Sequence, residues 1–206
     1  MIKIGLMWYP RENETIRITE HSIGQKVTIY PDAKAYPYDT NNEIKVLGEH
    51  VGCFKHYYRV LEDLCNSNAE YVSVMSDDIM FADNWQEIAV SKLSEDVGFV
   101  ACYVPNGVKY RFKWTKGWYK LKGGWNTAYG GGYVFRRETA LKMLKHPFMI
   151  NHRDNYSKNQ QIDHCVPEVA HRMGLKQMFY VPSLIKHIGY TSTIGHKHTK
   201  WEDVDW

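Results

Sequence analysis

Runs of apolar residues along the chain predict short strands that alternate with amphipathic helices. Strands are expected at 2–8, 27–30, 70–75, 97–103, 133–135 and 177–181. Helices are expected at 50–66, 84–94, 138–145 and 160–173, and the segment 12–23 fits either a helix or an irregular loop. This alternation indicates an α/β protein with a mostly parallel central sheet flanked by helices.

Polar and turn-forming residues mark the connections between these elements. We expect a surface loop at 32–49, a hairpin or a loop at 109–125, and a polar tail after 181. Pro147 is expected to end the helix before it. The helix at 160–173 is expected to continue through Pro167 and to stop at Gly174.

The composition narrows the class of protein. A length of 206 residues, with 44% hydrophobic and 24% charged residues, fits one globular domain spanning 1–206. No apolar run reaches the roughly 20 residues of a membrane helix, and Pro10 interrupts the opening run too soon for a signal peptide. The cysteines at 53, 65, 102 and 165 are too dispersed for a zinc site or a disulfide framework. We therefore expect a cytoplasmic protein that does not associate with a membrane.

The net charge of +3 is distributed unevenly. Residues 97–137 contain no Asp or Glu and carry +8, which leaves −5 for the remainder of the chain. Within this stretch, the basic-aromatic segment, residues 109–125, alternates cations with aromatic rings. Such alternation is typical of surfaces that attract phosphates and stack on bases or sugars. An amphipathic hairpin with lysines outward and rings inward produces the same pattern.

Two adjacent carboxylates, Asp77 and Asp78, closely follow the strand expected at 70–75. They fall at the carboxyl end of a strand, where α/β sheets bind ligands. Because like charges at this spacing repel in a partly dry site, a cation stabilises them. Carboxylates completed by substrate phosphates and water are ligands of Mg²⁺ or Mn²⁺. The alternative is that either aspartate caps the next helix or forms a turn.

Four segments resemble, in the same order, parts of the GT-A fold glycosyltransferases, and together they cover about residues 70–190. The run Tyr71-Val-Ser-Val-Met-Ser-Asp-Asp-Ile-Met-Phe81 resembles the strand and acidic motif that hold a metal against the diphosphate of a nucleotide-sugar. The glycine-rich segment 130–141 resembles the strand and helix that border donor and acceptor. Gln161-Ile-Asp163 resembles the motif that supplies a catalytic base. The segment 182–189 resembles a late segment whose histidine completes the metal shell.

The resemblance implies a role for each matching residue. Asp78 is expected to bind the metal together with His187, and Asp77 to bind the metal or the donor ribose. Asp163 is expected to accept the proton of an acceptor hydroxyl if the enzyme inverts the sugar configuration. The remaining expected donor contacts are Trp8, Tyr9, Arg11, Gly131 and Gly132, and the expected acceptor contacts are Lys113, Trp114, Lys116, Trp118 and Trp125.

The sequence departs from the family pattern at two positions. Ser76 stands where an acidic triplet has its first acid, which leaves the division of roles between Asp77 and Asp78 open. Ile162 precedes Asp163 where the family has a second acid. Asp163 is therefore equally consistent with a structural role, in which its negative charge stabilises the N-terminus of a helix. Structural roles also fit several of the remaining candidates: core packing for Trp8 and Tyr9, a satisfied polar residue for His187, and a solvated tail for His196 and His198.

The expected activity is transfer of a sugar from a nucleoside-diphosphate sugar, with UDP-sugars favoured, to an acceptor hydroxyl with Mn²⁺ or Mg²⁺. Donor binding is expected in residues 1–104 and acceptor binding and catalysis in 105–206. A compact chain with a focused cationic segment resembles viral enzymes, including those of phages, that glycosylate hydroxylated DNA bases in the host cytoplasm. Three alternatives stay open: a glycan or small-molecule acceptor, a metal-dependent nuclease or phosphotransferase, and a non-enzymatic nucleic-acid-binding module.

Overall fold

The computed structural model describes residues 1–9, 13–32, 39–49, 51–103, 115–121, 131–155 and 161–188. In these ranges the strands are β1 Ile2–Trp8, β2 Thr28–Pro31, β3 Glu43–Ile44, β4 Tyr71–Ser76, β5 Ile79–Phe81, β6 Val97–Ala101, β7 Gly117–Lys120, β8 Gly132–Arg136, β9 Lys176–Val181 and β10 Ile185–His187. The helices are α1 Asn13–Ile23, α2 Cys53–Cys65, α3 Trp85–Val90, α4 Arg137–Leu144, α5 Pro147–Asp154 and α6 Ile162–Arg172.

Eight of these strands form one sheet in the order β3-β2-β1-β4-β8-β6-β9-β7. The strands β3, β2, β1 and β4 run parallel to one another. β8 is antiparallel to both of its neighbours, β6 is parallel to β9, and β7 is antiparallel to β9. The other two strands, β5 and β10, form a separate antiparallel pair. The expected α/β class with a parallel first half is confirmed, and the second half of the sheet is mixed.

Helices cover both faces of the larger sheet. Side chains alternate between the faces along each strand, and both faces carry apolar residues that must be buried. One face is covered by α2, α4, α5 and α6, and its core includes Tyr57, Phe99, Tyr133, Phe135, Met149 and Cys165. The other face is covered by α1 and α3, and its core includes Ile4, Leu6, Trp8, Ile16, Trp85 and Val134. The sheet is therefore the middle layer of three, and its strand ends are the places where polar side chains can gather.

Four elements were not predicted from the hydrophobic pattern. Helix α5 begins at Pro147, where the ring nitrogen of His146 accepts a hydrogen bond from the Phe148 N–H at 3.1 Å. Proline is tolerated at the first helical position because its missing N–H has no partner there. The strands β3, β5 and β10 are two or three residues long, so they are too short to show a strand period.

The structure describes the basic-aromatic segment at residues 115–121, where it forms β7 at the outer edge of the sheet. Its remaining residues, 109–114 and 122–125, lie outside the described ranges. The segment 12–23, which fitted a helix or a loop, forms α1. Within the ranges given above, no helix combines the length and apolar character that a membrane crossing requires.

Candidate functional site

The winding of the sheet changes direction between β1 and β4. The chain leaves β1 to form β2 on one side, and later returns to place β4 on the other side. Open α/β sheets bind ligands beyond the carboxyl ends of their strands at such a switch point. Tyr9 follows β1, and Asp77 and Asp78 follow β4, whose last residue pairs with Met7 of β1. The fold thus brings the residues predicted for donor and metal together.

The reversed strand β8 brings the glycine-rich segment to the same edge of the sheet. Because β8 is antiparallel to β4, its first residue, Gly132, pairs with Met75 near the end of β4. The Ser76 N–H donates to the Gly131 carbonyl at 2.9 Å. Gly131 is therefore adjacent to the turn formed by Asp77 and Asp78, called here the acidic turn. Its donor-binding role stays a prediction.

Asp78 is 1% exposed, and both of its carboxylate oxygens have contacts. Oδ1 accepts a hydrogen bond from the Ser76 hydroxyl at 2.5 Å, and Oδ2 lies 3.0 Å from Nε2 of His187. The histidine reaches this position because β10 pairs with β5, which places His187 opposite Ile79. The Ile188 N–H also donates to the Asp78 carbonyl at 2.8 Å. Two of the three predicted metal ligands, Asp78 and His187, are therefore in contact.

Asp77 is fully buried and is held from the β1 side of the switch point. Its Oδ2 accepts a hydrogen bond from the Tyr9 backbone N–H at 3.1 Å. The two acids thus point to different partners, since Asp77 contacts the end of β1 and Asp78 contacts β10. Hydrogen bonds to an ionised carboxylate are stronger than neutral ones, so these contacts offset part of the cost of burying two adjacent charges.

Asp78 and His187 offer a carboxylate oxygen and an imidazole nitrogen to one cation. Ligands bound at roughly 2.1 Å in neighbouring octahedral positions lie about 3 Å apart, which matches the 3.0 Å between Oδ2 and Nε2. The carboxylate suits Mg²⁺ and Mn²⁺ alike, so the pair is compatible with either cation predicted from the sequence. Among residues that the structure describes, no group of three or more His, Cys, Asp or Glu could hold a metal. A cation bound by this pair therefore needs substrate phosphates or water as further ligands.

Asp163 lies in the first turn of α6, which leads directly into β9. Strands β4, β6 and β9 run in the same direction, so they end at the same edge of the sheet. Helix α6 brings the chain back from this edge to the start of β9, so the first turn of α6 lies near the edge where β4 ends. Burial raises the pKa of the Tyr133 phenol, and the nearby Asp163 carboxylate raises it further. Tyr133 pairs with Val74 of β4, so the predicted catalytic base lies beside the reversed strand.

The two residues predicted to hold the nucleotide base differ in their surroundings. Trp8 is 1% exposed and belongs to the core under α1 and α3, which matches the core-packing alternative. Tyr9 is half-buried, and its phenol pKa is raised by burial, then by the Cys53 thiol, and then by the charges of Asp32 and Asp77. At neutral pH the Tyr9 phenol is therefore protonated and cannot act as a base, and its oxygen is itself buried.

Asp32 is a buried acid that the sequence reasoning missed as a site residue. It directly follows β2, and its N–H donates to the Trp8 carbonyl at 2.9 Å. The charge of Asp32 contributes to the raised pKa of Tyr9, which places it at the same switch point. The sequence carried a signal for it, because Asp32 follows a predicted strand just as Asp77 and Asp78 do.

Gly132 has a packing role that the sequence did not suggest. A Cβ at this position would lie 2.9 Å from the Ile185 side chain and 2.9 Å from the Met75 sulfur. A larger residue at this position would require the Ile185 and Met75 side chains to shift. The donor role of Gly132 stays a prediction, and its lack of a side chain helps to position β10 and, with it, His187.

The described acceptor residues lie on the outer strand β7 and just before it. Lys116 is exposed, and Trp118 contacts its register partner Tyr180 edge-on, with ring centroids 5.2 Å apart. Gly117 pairs with Val181, so β7 begins at the edge of the sheet that carries the acidic turn. The predicted site residues outside the described ranges are Arg11, Lys113, Trp114, Trp125, His196 and His198.

Comparison with known proteins finds no protein-family model that matches the sequence and no curated protein that matches it.

Proposed function

We propose that the chain is a metal-dependent glycosyltransferase of the GT-A type, which moves a sugar from a nucleoside-diphosphate sugar to an acceptor hydroxyl. The contact between Asp78 and His187 at the switch point between β1 and β4 carries the proposal. Two further observations support it: the glycine-rich start of β8 lies beside this contact, and Asp163 lies near Tyr133 of β8.

The binding of the donor is divided between the two aspartates. When bound, a divalent cation supplies positive charge that stabilises the leaving diphosphate. Asp78 and His187 hold that cation, and the Ser76 hydroxyl orients the Asp78 carboxylate. We assign the donor ribose to Asp77, which is held by the Tyr9 N–H, and the nucleotide base to Tyr9.

The transfer step uses Asp163 as the base. Its carboxylate takes the proton of the acceptor hydroxyl while the acceptor oxygen forms a bond to the anomeric carbon. The bond between that carbon and the diphosphate oxygen breaks, and its electron pair leaves with the diphosphate. This assignment describes an enzyme that inverts the configuration of the sugar.

The acceptor proposed here reaches along the edge of the sheet from the acids to the basic-aromatic segment. Four strand intervals separate β4 from β7, and at about 4.8 Å each they place Lys116 roughly 19 Å from the acidic turn. A nucleic-acid strand is long enough to contact both places. The cations and rings of the basic-aromatic segment suit DNA, so a hydroxylated DNA base in a cytoplasmic setting, the host cytoplasm for a viral enzyme, belongs to the same proposal.

The decisive experiment measures thermal unfolding with uridine diphosphate, with and without Mn²⁺. At a ligand concentration 100 times the Kd, mass action adds about 2.7 kcal/mol, which raises the Tm of a chain of this size by roughly 5–10 °C. The shift should require both the nucleotide and the metal. Mass-spectrometric screening of nucleotide-sugars for hydrolysis then identifies the donor.

The rival functions give different results in parallel assays. Cleavage of unmodified DNA with Mg²⁺ and no nucleotide-sugar would indicate a nuclease. Salt-sensitive binding of DNA that survives Asp78→Ala, without any response to nucleotide, would indicate a nucleic-acid-binding module. Either result, with no thermal response to nucleotide and Mn²⁺, would overturn the glycosyltransferase proposal.

A further inference from the structure

The turn that carries Asp77 and Asp78 is fastened to helix α1 by one buried hydroxyl. Thr19 is fully buried in α1, and its Oγ1 accepts a hydrogen bond from the Ile79 N–H at 3.1 Å. The same oxygen lies 2.7 Å from the Ile79 carbonyl and 3.0 Å from the Asp77 carbonyl. It also lies 3.0 Å from the Thr15 carbonyl of its own helix. Because a hydroxyl carries one proton, it donates to one carbonyl at a time.

These contacts lie on both sides of Asp78 in the chain. Asp77 precedes it and Ile79 follows it, so the Thr19 hydroxyl brackets the residue that contacts His187. Ile79 is also the register partner of His187 in the β5–β10 pair. The Thr19 side chain therefore holds the backbone on both sides of Asp78. It also holds Ile79, the first residue of β5, which pairs with His187.

We propose that Thr19 is a positioning residue that sets the geometry of Asp78 and His187 for cation and donor binding, an inference that rests on the proposed function. It touches the backbone of the turn and acts through Asp78. Losing an outer partner that orients a metal ligand typically lowers metal affinity about 10–100-fold, so a turn released from α1 would bind Mn²⁺ weakly.

Three variants separate the hydroxyl from the volume of the side chain. Thr19→Val keeps the shape and removes the hydroxyl, and Thr19→Ser keeps the hydroxyl and removes the methyl group. Ser22→Ala is the matched control. Ser22 lies one turn further along α1, and its Oγ accepts a hydrogen bond from the Phe81 N–H at 3.2 Å, at the other end of β5 from the acids.

The first measurement is the Mn²⁺ concentration that gives half of the thermal stabilisation by uridine diphosphate. We expect T19V to raise it about 10-fold or more, and T19S and S22A to leave it within about 2-fold of wild type. An unchanged Mn²⁺ requirement in T19V would overturn the proposal. Should T19V fail to fold, T19S and T19A, which differ by the hydroxyl alone, are compared instead with the same expectations.

The second measurement is hydrogen exchange at the Ile188 amide, which donates to the Asp78 carbonyl from the β10 side of the turn. Faster exchange in T19V than in S22A supports the positioning role, and equal exchange overturns it. This readout needs no ligand. If the wild-type protein itself shows no Mn²⁺-dependent response to nucleotide, the proposed function fails, and exchange at Ile188 decides separately whether Thr19 holds Asp78.

Discussion

Oδ2 of Asp78 lies 3.0 Å from Nε2 of His187, and this contact joins the end of β4 to β10. The acid is buried and the imidazole is 15% exposed, so one side of the contact is closed by protein and the other is open to a ligand. A buried carboxylate requires a positive partner or several donors. A shared cation meets that requirement, and variants of the two residues test whether His187 helps to hold it.

Replacing Asp78 with Asn should abolish the Mn²⁺-dependent response to nucleotide while leaving the sheet intact. The amide has nearly the same shape, but it lacks the negative charge that attracts the cation. We expect transfer to fall at least about 100-fold. Asp96→Asn is the control, because Asp96 is an exposed acid paired with Lys176 away from the acidic turn. Normal transfer by D78N would remove Asp78 from the metal site.

Replacing His187 with Gln should weaken Mn²⁺ binding about 10–100-fold without abolishing it. Asp78 and the substrate phosphates still provide ligands, so saturating Mn²⁺ should restore most of the nucleotide response. Titration of the thermal shift with Mn²⁺ measures the change. His171→Gln, at an exposed histidine near the end of α6, should match wild type. A Mn²⁺ requirement unaffected by H187Q would mean that His187 is a structural partner of Asp78.

Replacing Asp163 with Asn should lower kcat about 100- to 10,000-fold while leaving donor binding unchanged, because a base acts on the acceptor proton and not on the nucleotide. Stopped transfer with a normal thermal response to nucleotide is the expected signature. Glu168→Gln on the same helix is the matched control, since Glu168 pairs with Arg172 on the surface. Should D163N keep its kcat, Asp163 is a charge at the helix N-terminus and not the base.

Replacing Lys116 and Lys120 with Ala should weaken binding to a DNA acceptor and flatten its salt dependence. Removing one lysine–phosphate contact reduces the slope of log K against log salt by about 0.9 for a duplex. The control pair is Lys142 and Lys145, two exposed lysines at α4 that lie on another part of the protein. Equal affinity and slope in all three proteins would point to a glycan or a small-molecule acceptor.

Replacing Tyr30 with Phe should destabilise the protein by about 1 kcal/mol at pH 7, and by less in acid. The Tyr30 hydroxyl donates to Asp63 Oδ2 at 2.7 Å, and Lys45 pairs with the other oxygen of the same carboxylate. Burial alone would raise the pKa of Asp63, but the Lys45 and Tyr30 contacts outweigh it and lower the pKa. A carboxyl with a lowered pKa stabilises the fold above its unfolded pKa of about 3.9, and loses that contribution as the pH falls through the folded value.

Denaturant unfolding between pH 7 and pH 2.5 checks this prediction. The difference between wild type and Y30F should be largest above about pH 4 and shrink below it. Tyr58→Phe is the control, because the Tyr58 hydroxyl donates to the Leu144 carbonyl, which does not titrate. A Y30F deficit that stays constant down to pH 2.5 would show that the Asp63 contact adds no pH dependence.

The sequence predicted the part of the site that depends on long strands. The runs that form β1 and β4 are apolar over six or seven residues, so their ends, and the acids beyond the second run, could be located without coordinates. The α/β class followed from the same runs. The metal-binding role of these acids comes from their adjacent charges and from the resemblance, and it stays a prediction.

The parts that could not be predicted depend on short or distant contacts. The resemblance associated His187 with Asp78, but the strand that brings it there is three residues long, and its pairing with β5 leaves no periodic signal in the sequence. Thr19 is an ordinary helix residue until the fold places the turn beside it. Trp8 and Tyr9 are adjacent aromatic residues, and only the alternation of faces along β1 shows that Trp8 is in the core.

The late position of β10 in the chain has a consequence for biosynthesis. All eight strands of the larger sheet have been translated once Val181 is made, whereas His187 is added afterwards. Domains begin to fold while the ribosome is still adding residues. His187 is only six residues beyond Val181, and at roughly 5–20 residues per second these residues are added within about a second, so β9 and β10 become available for folding almost together and Asp78 gains its partner as the sheet is completed.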